Sequence, residues 1–162
     1  MNPTYHSLGN HTEAIQIDFA PEEIDFAAVV DLVWTSHNPV GAARSSQYKS
    51  AIWFADDQQL ALIDQSVEPL VERYQRELTT EILPLETFFN AEDYHQKYVL
   101  QRHDAVMKQF KAYYPDFHDF VNSTAAARLN GFAYGSGSKA LFEQEQSTYG
   151  FSPESLAAVL RF

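Results

Sequence analysis

The clearest alternation in the chain runs from His11 to Phe19, His-Thr-Glu-Ala-Ile-Gln-Ile-Asp-Phe, and predicts a half-buried strand. Strand side chains alternate faces, so Glu13 shares a face with Ile15, Ile17 and Phe19. The period then changes. Phe26, Val30, Val33 and His37 form one helical stripe, capped by Asp25 and stopped at His37-Asn38-Pro39. Gln47 to Phe54 alternates again and predicts a second strand, with Tyr48, Ser50, Ile52 and Phe54 on one face. Asp56, followed by Gln59, opens a helix carrying Leu60, Ile63, Val67, Leu70 and Tyr74, in which Pro69 predicts a break or kink. Met1–Asn10 and Val40–Ser46 read as loops.

Beyond this the pattern turns helical. Thr79 to Leu85 is extended and, because of Pro84, an edge at best. Asn90 caps a predicted helix through Tyr94 and Tyr98 to Arg102, and Asp104–Tyr113 continues helical until Tyr114-Pro115. Ser123–Asn130 predicts a helix stopped by Gly131. Gly135-Ser136-Gly137-Ser138 reads as a flexible joint, and Ser152 with Pro153 opens a last short helix towards Phe162. No internal repeat is visible.

The length of 162 residues suits one compact domain with a real core. A net charge of −11, from 22 acids and 11 bases, argues against binding a nucleic-acid backbone. No apolar run marks a signal peptide or membrane span, and a cytoplasmic location with no membrane partner is expected. There is no cysteine, so no disulfide, thiolate metal site or cysteine nucleophile. The six histidines include no His-Glu-x-x-His pattern, and no metal is expected. No Gly-x-Ser-x-Gly elbow occurs, and Gly135–Lys139 is too short for a phosphate loop.

The candidate chemistry sits on the two strands. A carboxyl at Glu13 on a core-facing strand side would lose hydration, which raises its pKa and suits it to act as a general acid. Tyr48 lies on the inner face of the second strand, and Tyr5 precedes the first. Together these groups would donate hydrogen bonds to one oxygen. The same pattern is met by a Glu13 in water past the sheet edge, and by tyrosines packed only through their rings.

Four blocks then resemble one family. Asn2-Pro3-Thr4-Tyr5 with Gly9-Asn10-His11-Thr12-Glu13, Trp34-Thr35-Ser36-His37-Asn38-Pro39, Gln47-Tyr48-Lys49-Ser50-Ala51-Ile52, and Ala91-Glu92-Asp93-Tyr94-His95-Gln96-Lys97-Tyr98 resemble, in order, blocks of the methionine sulfoxide reductase A family. The resemblance covers roughly residues 2 to 103 and implies reduction of the S-epimer of methionine sulfoxide, free or in proteins. It implies that Glu13 protonates the sulfoxide oxygen and that Tyr5 and Tyr48 bind it. It also implies no bound cofactor and a thiol reductant such as thioredoxin.

The chain departs from the family pattern. The Gly-Cys-Phe-Trp motif with its nucleophile is absent, as are the recycling cysteines, and an aspartate of the family aligns with Ala43. No other side chain replaces a thiolate that attacks sulfur and closes the cycle as a disulfide. The isolated chain is therefore expected to be inactive.

The fold implied is α+β, a partial ferredoxin-like α/β plait. Residues 1–103 would be reductase-like but lack the first strand, helix and second strand, and 104–162 would be a helical extension packed on them. The segment 11–19 would be the family's third strand and 47–54 its fourth. Met1 is expected to be an internal or mispredicted start, and unpaired strand edges to favour a homo-oligomer. Two alternatives stand beside this: a non-catalytic module that binds methionine sulfoxide or another protein, and an unrelated carboxylate-dependent hydrolase.

Overall fold

The structure is a computed structural model and describes residues 9, 11–42 and 45–159. It is α+β, with a small parallel sheet and a helical C-terminal part. It divides into two compact units, Met1–Asn90 and Ala91–Phe162.

In the first unit, helix α1 (Phe26–Ser36) begins where Asp25 Oδ1 accepts the Ala28 N–H at 2.8 Å. A 3-10 turn, Ser46–Tyr48, precedes strand β1 (Ala51–Phe54). Helix α2 (Asp57–Tyr74) starts at Asp56, whose carboxylate accepts the Gln59 N–H at 2.8 Å. Strand β2 (Glu81–Pro84) then lies parallel to β1, with Ala51 opposite Glu81 and Phe54 opposite Pro84. Two parallel strands need a crossover, and α2 supplies it. Val30 and Trp34 of α1 meet Ile63 of α2 in the core, where Ile52, Val67 and Ile82 pack against them. Burial of Ile63 is complete, an effect of roughly 1.5–3 kcal/mol for such a side chain.

Three expectations for this unit are corrected. Residues 11–20 form no strand, and Ile15 and Ile17 are 83% and 51% exposed. Alternation fixes which side chains share a face but supplies no neighbour. Among the described residues the segment's one backbone link across the fold is Glu13 N–H to the Gln47 carbonyl, 3.0 Å. The second strand starts only at Ala51, because Ser46–Tyr48 coils tightly. Pro69 does not break α2. It removes one donor, but Ile63, Val67 and Leu70 on the core side hold the helix on both sides of it.

The second unit holds α3 (Asp104–Tyr113), α4 (Phe117–Asn122), α5 (Thr124–Tyr134), α6 (Lys139–Glu145) and α7 (Pro153–Ala157). Asp116, Ser123, Ser138 and Ser152 cap the last four through their side chains. Phe110 lies at the centre, its ring 5.0 Å from Phe120 and 4.5 Å from Phe151, with Leu100, Val106, Leu129 and Val159 fully buried around it.

Here the expected helix from Asn90 to Arg102 is replaced by two 3-10 turns, Asp93–His95 and Leu100–Arg102. Lys97 between them adopts φ +47°, which no α-helix accommodates. Side-chain amides cover the freed carbonyls: Gln96 donates to Ala91 at 3.1 Å and Gln101 to Asp93 at 2.7 Å. Gly131 does not stop α5, because Leu129, Phe132 and Ala133 continue its buried face, and the helix ends at Gly135 with φ +93°. The Gly135–Ser138 joint is a defined turn, with Ser136 N–H bonded to the Gly131 carbonyl at 2.9 Å. A Cβ on Gly137 would lie 2.8 Å from the Phe132 ring, and its φ is +83°. That position requires glycine on both counts.

One polar latch ties α5 to α6 and the turn after it. Arg128 grips Glu145 with two guanidinium nitrogens, and Tyr149 O–H donates to the same carboxylate at 2.6 Å. The Arg128 bond holds the Glu145 carboxyl below its usual pKa. Burial, then the bond to Glu145, pushes the Tyr149 phenol up to about 12. A raised folded-state pKa favours the protonated phenol in the fold. Its stabilisation is complete below the ordinary tyrosine value near 10 and fades as pH rises towards about 12. Thermal melts of the chain should therefore lose stability between those limits more steeply than melts of Tyr149→Phe. Parallel curves for the two would remove the latch as the cause.

Candidate functional site

The side chains singled out on the first two predicted strands meet at one turn. Thr12 Oγ1 donates to the Ser46 carbonyl at 2.7 Å, and the Glu13 N–H to the Gln47 carbonyl at 3.0 Å. These two bonds lay the segment against the Ser46–Tyr48 turn. His11 steadies the same end by packing edge-on against Phe89, with centroids 5.2 Å apart.

Gln47 then joins the two predicted groups. Its side-chain amide donates to Glu13 Oε1 at 2.9 Å and to the Tyr48 phenol oxygen at 3.1 Å. The sequence quoted Gln47 within a motif but gave it no role. In a regular strand, residues 47 and 48 would point to opposite faces. A 3-10 turn spaces successive side chains by about a third of a revolution, so neighbours can act together. The signal that could have found Gln47 was this change of backbone period, which no local hydrophobic pattern records.

The burial expected for the site is corrected. Glu13 is exposed and Tyr48 is 48% exposed, because the segment carrying Glu13 joins no sheet and no described layer covers it. Tyr5 and Ala43 lie outside the described residues. A cleft of about 290 Å³ is lined by Ser46 and Lys49 of the same stretch together with Asn38, Thr79 and Glu81. Lys49 Nζ and Glu81 pair there at 2.9 Å. Behind it, His37 Nε2 meets Thr80 Oγ1 at 2.7 Å, and the Thr79 N–H donates to the Pro39 carbonyl at 2.7 Å, so the His37-Asn38-Pro39 block is stitched to β2.

The fourth block belongs to the second unit. Glu92 and His95 approach to 3.9 Å, and the rings of Tyr94 and His95 lie tilted to one another with centroids 4.1 Å apart. Burial lowers the pKa of Lys97. Among the described residues no group of three or more His, Cys, Asp or Glu could hold a metal ion, and no helix is long and apolar enough to cross a membrane.

Chemically, the Glu13–Gln47–Tyr48 cluster offers a carboxyl, a primary amide and a phenol within hydrogen-bonding reach of one another. Such a set suits a polar acceptor oxygen, and it contains no nucleophile for sulfur.

What fold and site define together is a class: an α+β chain that presents a carboxyl, an amide and a phenol on one exposed turn. A model of the family described as "Peptide methionine sulfoxide reductase" matches residues 1–128. A peptide methionine sulfoxide reductase of Drosophila melanogaster is 35% identical over 153 residues, covering 93% of this chain and 61% of the relative. Peptide methionine sulfoxide reductase A2 of Arabidopsis thaliana is 33% identical over 109 residues, 62% of this chain and 50% of the relative. Peptide methionine sulfoxide reductase MsrA of Pasteurella multocida is 33% identical over 109 residues, with coverages of 62% and 63%. The chain belongs to the peptide methionine sulfoxide reductase family. It spans 50% to 63% of the length of these three relatives and contains no cysteine.

Proposed function

We propose that this chain recognises the sulfoxide oxygen of oxidised methionine through Glu13, Gln47 and Tyr48, and that it does not reduce the sulfoxide on its own. The observation that carries the reading is the Gln47 amide, bonded at once to the Glu13 carboxyl and the Tyr48 phenol. A sulfoxide oxygen is a strong acceptor. The Tyr48 hydroxyl would donate to it and, by family resemblance, Glu13 would hand it a proton, with Gln47 holding the two in register. Tyr5 joins them by family resemblance.

Reduction removes that oxygen as water and takes two electrons. In thiol chemistry they come from a thiolate that becomes a sulfenic acid and then a disulfide. With no cysteine here, the electrons must come from thioredoxin or another thiol, acting through a cysteine outside these 162 residues. We assign recognition to residues 1–103 and read 104–162, which hold α3 to α7, as a helical extension with no part in the chemistry.

Calorimetric titration with a capped methionine S-sulfoxide should give saturable binding, and capped methionine should give none. Glu13→Gln and Tyr48→Phe should each weaken binding about tenfold, the worth of one hydrogen bond of about 1.4 kcal/mol. Incubation with dithiothreitol and the sulfoxide should yield no methionine above the protein-free control. Equal binding of sulfoxide and methionine would sink the recognition reading, and turnover would sink the claim of inactivity.

A further inference from the structure

A side chain that meets a ligand from an exposed turn has to be held still. The Glu13 side chain is long, flexible and exposed, and its Oε1 accepts from the Gln47 amide at 2.9 Å. Such a bond gains little more than the rotamer entropy a glutamate loses when it is fixed. The Glu13–Gln47 pair therefore persists only where the two backbones beneath it are already in place.

Two bonds of one register put them there. Thr12 Oγ1 donates to the Ser46 carbonyl at 2.7 Å, and the Glu13 N–H to the Gln47 carbonyl at 3.0 Å. The side-chain bond from Gln47 to Glu13 repeats the same offset of 34 residues. Of the three bonds, the one from Thr12 is made by a side chain outside the Glu13–Gln47–Tyr48 cluster. Thr12 is half-buried and its hydroxyl proton is committed to Ser46, so it braces the cluster and is not a further donor to a ligand.

We propose that Thr12 is a positioning residue: its bond to Ser46 holds the Glu13 carboxyl beside the Gln47 amide, and through that pair sets how tightly a sulfoxide oxygen is bound. The last step rests on the recognition reading above, whereas the brace itself is tested without a ligand.

The test uses the whole chain with Thr12→Val, which exchanges the hydroxyl for a methyl of like size, Thr12→Ser, which keeps it, and Glu13→Ala. The first readout is the Gln47 side-chain amide signal in heteronuclear NMR. Thr12→Val should move it to the position found in Glu13→Ala, and Thr12→Ser should leave it where the parent chain has it. The second readout is calorimetric affinity for capped methionine S-sulfoxide. Thr12→Val should weaken binding about fivefold, the effect of one modest hydrogen bond, and Thr12→Ser should restore it. In a Glu13→Ala background Thr12→Val should have no further effect, because a residue that acts through Glu13 is silent once that carboxyl is gone.

A Gln47 signal unmoved by Thr12→Val would overturn the proposal whatever the affinities. So would an equal loss of affinity from Thr12→Val with and without Glu13, or a Thr12→Val chain unfolded by tryptophan fluorescence, since either makes the bond a matter of stability alone. The expected Gln47 shifts in a chain that binds no sulfoxide would support Thr12 as the brace while removing the recognition reading.

Discussion

Phe110→Ala is expected to lower the stability of the Ala91–Phe162 unit by about 3–5 kcal/mol, measured by denaturant unfolding. Phe110 is fully buried and its ring meets Phe120, Phe151 and Tyr114. Truncation removes the ring's transfer energy and leaves a cavity whose walls cannot close. Phe120 is fixed by α4, and Phe151 is followed by Ser152, whose N–H is held by Gln109 Oε1 at 2.9 Å. Aromatic pairs add about 0.5–1.5 kcal/mol beyond burial, so Phe110→Leu should recover only part of the loss. A cost near 1 kcal/mol for the alanine would mean the site collapses, and that Phe110 does not organise this core.

Trp34→Ala should cost a similar amount, about 3–5 kcal/mol, in the Met1–Asn90 unit. Among the described residues the buried core cluster of that unit is Val30, Trp34 and Ile63, so one truncation removes its largest side chain. The indole N–H also donates to Ser66 Oγ at 2.8 Å, joining α1 to α2. Trp34→Phe separates the terms and should lose about 1 kcal/mol, one hydrogen bond with part of the ring area. The ring stacks on His37 at 6.0 Å, and His37 reaches Thr80. The alanine variant should therefore also speed amide exchange at Thr79 and Thr80. Trp53 remains as the fluorescent reporter.

Local chemistry was legible in the sequence wherever one side chain and one backbone group decide the outcome. Asp25, Asp56 and Ser152 cap helices as their positions suggest, and Pro84 ends β2 at a sheet edge. Legibility failed where an outcome depends on a neighbour. The alternation at 11–19 was present, but no described strand lies beside it. Pro69 and Gly131 read as breakers, yet packing on either side carried both helices through. The approach of Glu13 to Tyr48 was foreseen from shared apolar faces. It arises instead from an exposed turn and a glutamine, and the proposed oxygen-binding groups are exposed rather than under a sheet.

The parallel pairing of β1 with β2 imposes an order on how the first unit forms. Ala51 and Glu81 are thirty positions apart, and closing a flexible loop of that size costs about 3 kcal/mol before the first rung of the ladder forms. A pre-formed α2 shortens that search, since eighteen helical residues span about 27 Å as a stiff strut. Refolding of the sheet is then expected to slow more with mutations that weaken α2 than with mutations in the strands.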